Sequence, residues 1–143
     1  MNKRISARGI IIEDDSVYAI YRRKKLPDGK IKSWYATPGG GVEEGESPNE
    51  AVIRELKEEL SLDVKIIDLL DIMWEENNIV FLFHCKITGG TPELGGPEKE
   101  KHTEDNYYEI RKIKLSEIDD ENIDISYKDL IKLAYTKNEL PLQ

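Results

Sequence analysis

Two hydrophobic rhythms run along this chain, and the places where one gives way to the other mark its elements. From Ser6 to Glu13 and again from Val17 to Tyr21 the apolar residues alternate loosely, with Asp14-Asp15-Ser16 between them, so the N-terminal stretch predicts a β-hairpin. The runs Val64 to Trp74 and Ile79 to Ile87, split by the polar Glu75-Glu76-Asn77-Asn78, predict a second antiparallel pair, and Tyr107 to Lys114 a further strand. Between the two pairs the period lengthens. With residues set at about 100° each, Val52, Ile53, Leu56 and Leu60 fall within an arc of roughly 100°, the stripe by which a helix meets a core. Leu130, Ile131, Ala134 and Tyr135 repeat this spacing in a final helix, capped by Ser126 with Asp129 and ended by Asn138.

The start of the first helix is written locally. Ser47 and Glu50 form an S-x-x-E capping box, and Pro48 takes the first helical position, where a missing N–H removes no bond. Elsewhere turn chemistry dominates. Leu26-Pro27-Asp28-Gly29 is a turn signal, and Thr37-Pro38-Gly39-Gly40-Gly41 reads as a glycine turn after a strand through Trp34, Tyr35 and Ala36. Thr88 to Asn106 has no periodicity and carries Gly89-Gly90, Pro92, Gly95-Gly96 and Pro97, which predicts a long structureless loop.

Composition narrows the class. A chain of 143 residues, 38% hydrophobic and 35% charged, is expected to form a single domain over 1–143 with its own core. It has no apolar run of membrane-spanning length, and its lone Cys85 fits a reducing compartment, so the expected location is cytoplasmic with no membrane partner. The formal net charge of −8 argues against polymeric nucleic acid as a partner while leaving small phosphorylated substrates open. Association into a homodimer is left open.

The candidate chemistry sits on the first helix. Glu55, Glu58 and Glu59 occupy an arc beside the apolar stripe, with Glu59 at the border of the interior and the small Ala51 among them, where it would admit a ligand. Carboxylates at i, i+3 and i+4 repel one another unless a cation stands between them, and the hard ions Mg²⁺ or Mn²⁺ suit oxygen ligands. The competing reading is a solvated acidic face in which Arg54 pairs with Glu50 and Glu58. The glycines just upstream favour the site, because they let backbone approach an ion closely.

Gly40, Glu46, Arg54, Glu55, Leu56, Glu58, Glu59 and Leu62 follow the order and spacing G-x5-E-x7-R-E-U-x-E-E-x-G-U, which resembles the Nudix box; Ser61 stands where that box has glycine. The resemblance, of MutT-like type, implies an α/β fold: an α/β/α sandwich with a mixed, curved sheet, the box helix on one face and the C-terminal helix on the other. It implies a Mg²⁺- or Mn²⁺-dependent pyrophosphohydrolase acting on a nucleoside diphosphate linked to X, with a nucleoside triphosphate, oxidised forms included, as the expected substrate. The alternative is a non-catalytic Nudix-like module that binds a nucleotide or a protein.

Residue roles follow from the same resemblance. Glu55, Glu58 and Glu59, with a carbonyl from Gly39, would hold the metal, and Glu55, Glu98 or Glu100 would act as base, with Glu104 behind them. Arg54 would orient the glutamates, and Glu46 would support the loop or the metal shell. Substrate contacts would come from Arg22 or Arg23, from backbone at Gly40 and from Trp34 by stacking. His84, alone in its strand, reads as a hydrogen-bonded structural residue, and His102 as solvent-exposed.

Overall fold

The computed structural model describes residues 4–139. The elements are β1 (Arg4–Glu13), β2 (Ser16–Lys25), β3 (Ile31–Ala36), β4 (Gly39–Gly41), α1 (Pro48–Leu60), β5 (Leu62–Glu75), β6 (Asn78–Gly90), α2 (Gly96–Lys101), β7 (Asn106–Lys114), a 3₁₀ turn at Leu115–Glu117, and α3 (Lys128–Glu139). The strands form one mixed sheet in the order β3-β2-β1-β6-β5, with β4 on β1 and β7 on β2. Strands β1 and β6 are parallel; the other pairs are antiparallel.

The central strand changes partner along its length. β1 pairs with β4 through Ser6, Ala7 and Arg8, but with β2 only through Ile12 and Glu13. The sheet therefore parts beside the middle of β1, and a cleft opens between the β2–β3–β7 wing and the rest. Alternation along β1 separates two cores, as a period of two requires. Ala7 and Ile11 pack with Val52, Leu56 and Leu60 of α1, while Ile10 and Ile12 pack with Ile131 and Ala134 of α3. This is the α/β/α sandwich that the resemblance implies. No helix among the described residues is long and apolar enough to cross a membrane.

Several expectations need correction. The capping box at Ser47 forms as read and α1 starts at Pro48, but its buried face is rotated. Ile53 is 42% exposed, whereas Ala51 is fully buried in the core and lines no ligand site. Apolar periodicity located the stripe but not its centre, which falls near Glu59. Ser61 adopts the left-handed conformation (φ +61°) that glycine would favour, and its hydroxyl donates to the Glu93 carbonyl at 2.9 Å.

The glycine turn is in fact strand β4, and the loop contains α2, which Gly95 fastens to α1 by donating its N–H to the Glu59 carbonyl (3.0 Å). Strand β2 runs on through Arg22–Lys25 instead of ending at Tyr21. Helix α3 is capped one residue later than expected: the carbonyl of Tyr127, at φ +67°, accepts the Ile131 N–H, and the helix continues past Asn138 to the last described residue. His84 is buried, yet among the described residues neither ring nitrogen has a hydrogen-bond partner, in contrast to the hydrogen-bonded role read from sequence.

Candidate active site

A cavity of about 460 Å³ fills the cleft where the sheet parts. Its acidic wall is α1, which presents Glu55, Glu58 and Glu59, and α2, fastened to the end of α1, contributes Glu98. Glu59 is only 5% exposed, because it lies at the middle of the helix face that packs on the sheet. Its Oε1 accepts a long hydrogen bond from the Gly39 N–H (3.4 Å). Burial pushes its carboxyl well above the ordinary range and the nearby Glu98 adds to this, against the opposing pull of Gly39 and Arg8. Burial also raises Glu55, with Glu58 and Glu98 acting in the same direction and Arg54 against it.

Arg54 binds the acidic residues together. Its Nε and Nη2 donate to the two carboxylate oxygens of Glu46 (2.7 and 2.9 Å), a bidentate pair of the kind that suits a planar guanidinium. Nη1 donates to Glu55 (3.0 Å) and Glu58 (3.2 Å), and Nη2 also reaches the Gly41 carbonyl (3.0 Å). These bonds pull the Glu46 carboxyl down to about 2. Glu46 is therefore tied to Arg54 rather than presented to the cavity.

The glycines make the approach of loop and helix feasible. A Cβ on Gly39, whose φ is +144°, would lie 2.3 Å from the Ala7 carbonyl oxygen. One on Gly40 would lie 2.6 Å from the Glu55 carboxylate, so the β4 backbone and this acid lie close together at the cavity wall.

The cationic residues divide by strand parity. Arg22 shares the α1-side face of β2 with Ile20 and enters the cavity, its guanidinium 3.7 Å above the Tyr108 ring and held by Asn106. Arg23 falls on the opposite face, 4.5 Å above Tyr107. Trp34 pairs with Arg22 across β2–β3 and carries its guanidinium at 4.9 Å, but does not line this cavity. Glu100 and Glu104 are exposed and outside the cavity wall, while His102 accepts the Tyr108 N–H through Nδ1.

Three contributors were missed. Arg8 lines the cavity from β1, donates to the Thr37 carbonyl (2.7 Å) and offsets the charge of Glu59. Its signal was a lone arginine inside a strand otherwise destined for burial. Arg4 lies beside Gly41, and Lys101 projects from α2; neither carried a local signature.

Among the described residues no three His, Cys, Asp or Glu side chains are gathered as a closed ion cage. The donor set nonetheless suits Mg²⁺ or Mn²⁺. Five carboxylates line one cavity, Glu43, Glu55, Glu58, Glu59 and Glu98, two of them with their acid forms favoured by burial and by neighbouring glutamates, and such ions commonly take only one or two protein carboxylates beside water and phosphate.

The NUDIX domain family model matches residues 3–130. An ADP-ribose pyrophosphatase from Methanocaldococcus jannaschii is 36% identical over 96 residues, covering 63% of this chain and 55% of that protein. Among solved structures, an ADP-ribose pyrophosphatase from Streptococcus suis superposes with a TM-score of 0.68 at 15% identity, covering 99% of this chain and 96% of that one. A MutT NUDIX hydrolase from Burkholderia pseudomallei gives 0.62 at 22% identity over 81% and 86% of the two chains. The chain spans between 26% and 55% of the length of the curated relatives it matches. A family match over most of the sequence, joined to this fold and this glutamate-lined cleft, places the chain in the NUDIX domain family.

Proposed function

We propose that the protein is a divalent-metal-dependent pyrophosphohydrolase that cleaves the pyrophosphate linkage of a nucleoside diphosphate joined to a further group. The observation that carries this reading is the convergence of Glu55, Glu58, Glu59 and Glu98 on a cavity that also receives Arg22. Acids alone would repel a phosphate. With Mg²⁺ or Mn²⁺ held by the α1 glutamates, the ion would supply neutralisation of phosphate charge.

The chain's own residues account for the rest. Arg54 fixes Glu55 and Glu58 through charge-assisted hydrogen bonds, so the acids are held before substrate arrives. Glu55 gives one oxygen, Oε1, to Arg54 and keeps Oε2 to accept the proton of the attacking water. Burial raises its carboxyl, which makes it a stronger base. Glu98 is the second carboxylate positioned for that role. Arg22 supplies a planar fork for phosphate oxygens, and Tyr108 beneath it limits its rotamers.

The test is formation of the nucleoside monophosphate and its phosphorylated partner, followed by chromatography, from ADP-ribose, nucleotide sugars, dinucleoside polyphosphates and nucleoside triphosphates, oxidised forms included, each with Mg²⁺ and with chelator. Metal-dependent cleavage of at least one member is expected and identifies X. A protein that binds these nucleotides but turns none over with Mg²⁺ or Mn²⁺ is a binding module, and the proposal fails.

A further inference from the structure

The net charge of −8 conceals a strong segregation. Residues 16–36 and 106–114, which hold β2, β3 and β7, contain nine Lys and Arg against two Asp and Glu, a balance of +7. The remainder of the chain therefore carries −15. The argument that an acidic protein repels a polyanion assumes charge spread evenly over the surface, and here it is not.

Strand parity sorts this wing into two faces. The α1 side carries Arg22 and belongs to the cavity already described. On the other side, where the α3-side core reaches as far as Tyr35, Tyr21 and Arg23 of β2 stand beside Tyr35 of β3 and Tyr107 and Arg111 of β7. The rings are neighbours: Tyr21 lies 5.3 Å from Tyr35 and 6.2 Å from Tyr107. Each cation stands over a ring, Arg111 at 3.8 Å over Tyr21 and Arg23 at 4.5 Å over Tyr107. Arg111 is further held by Glu109 (3.1 Å), the single acid of β7. Lys25 is exposed at the end of the same row, and the acidic segment around Asp124 meets this face beside Tyr35, which leaves the Arg23–Tyr107 end as its cationic pole.

Stacked guanidinium–ring pairs on an open sheet, spaced along strands and flanked by lysine, offer flat surfaces for bases and charge for the phosphates between them. We propose that this face of β2, β3 and β7 is a binding surface for single-stranded nucleic acid, separate from the pyrophosphate cavity. An acidic peptide would satisfy the cations but offer no flat group to stack on the guanidinium–ring pairs, so the aromatic content favours a polynucleotide. The inference does not rest on hydrolysis, since the two surfaces lie on opposite sides of the sheet.

The test is fluorescence anisotropy of the full chain with a labelled single-stranded oligoribonucleotide of about 12 residues. Neutralisation of two phosphates by Arg23 and Lys25, with Arg111 already paired to Glu109, gives a salt slope of about −1.4, so affinity should fall about sevenfold between roughly 50 and 200 mM salt. Tyr107→Ala and, separately, the exposed Lys25→Glu should each weaken binding by about tenfold with small-nucleotide turnover at its wild-type value, and Lys25→Glu should leave the melting temperature unchanged. Absence of binding at the low salt, or variants that bind as wild type does, overturns the assignment. Polyglutamate that competes as well as unlabelled RNA also overturns it, because the surface would then read charge alone.

Discussion

Gly40→Ala isolates the geometry of the proposed site from the stability of the fold. The added Cβ would stand 2.6 Å from the Glu55 carboxylate, whereas ordinary contact begins at 3.4 Å, so the acid must retreat by about 0.8 Å. Gly40 itself has no positive φ, and the atom it meets is the end of a side chain, so the fold can yield. Overpacking of this kind costs about 1 kcal/mol, a fall of about 4 °C in melting temperature for a chain of this size. Catalysis is far less tolerant. Misplacement of a reacting group by about 1 Å costs about 100-fold, equivalent to about 2.7 kcal/mol in kcat/KM. The assay is Mg²⁺-dependent formation of the nucleoside monophosphate from the best substrate of the panel, alongside thermal melting. In a Glu55→Gln background the glycine change should add little further loss, because both act on one group. Gly39→Ala is the contrast: its Cβ would meet backbone at 2.3 Å, and the protein should fail to fold well. A Gly40→Ala protein with wild-type kcat/KM would refute the claim that Glu55 must sit where the structure places it.

Other expectations follow from the same contacts. Arg54→Ala leaves Glu46, Glu55 and Glu58 without their shared partner and should lower unfolding free energy by about 2 kcal/mol in urea titration, with part recovered in millimolar Mg²⁺. An unchanged denaturation midpoint would show that these bonds contribute nothing. Because burial raises Glu59 above its ordinary 4.5, its contribution to stability is present below that value and lost as pH rises through the folded one. In chelator, Glu59→Gln should therefore melt progressively higher than wild type between about pH 5 and pH 8, and a constant difference would count against it. Burial lowers His84, so its contribution is present above the ordinary value of 6.5 and lost as pH falls through the folded one. His84→Leu removes two unpartnered buried nitrogens and should stabilise by about 1 kcal/mol at neutral pH and by more in acid; destabilisation at both would reveal a partner for the ring.

What could be read from sequence was what is decided locally. The α1 start depends on Ser47, Pro48 and Glu50, all within one turn, and the acid spacing of the box depends on helical geometry alone. Placement of the acids relative to the core was less legible, since periodicity ranks Ile53 above Ala51 by hydrophobicity while the sheet determines which of them is covered. Strand β4 consists of three glycines and forms because β1 pairs with it, an interaction between residues about thirty positions apart that leaves no local pattern. Helix α2 holds by its attachment to the α1 terminus through Gly95, so its glycines and proline read as loop. Which of Arg22 and Arg23 enters the cavity was settled by strand continuation through both, once β2 is seen to extend beyond Tyr21. The charge segregation was present in the sequence throughout, but became meaningful only when β7 was found paired with β2.

The central claim is that the α1 glutamates hold a divalent ion for pyrophosphate cleavage. Turnover of the best panel substrate measured against Mg²⁺ concentration, for wild type and Glu58→Gln, tests it most directly. The account expects no turnover in chelator, saturation with Mg²⁺ in the wild type, and a loss of at least about 100-fold in the variant with its fold intact. Turnover that persists in chelator, or a Glu58→Gln protein with the wild-type rate and Mg²⁺ dependence, would contradict it.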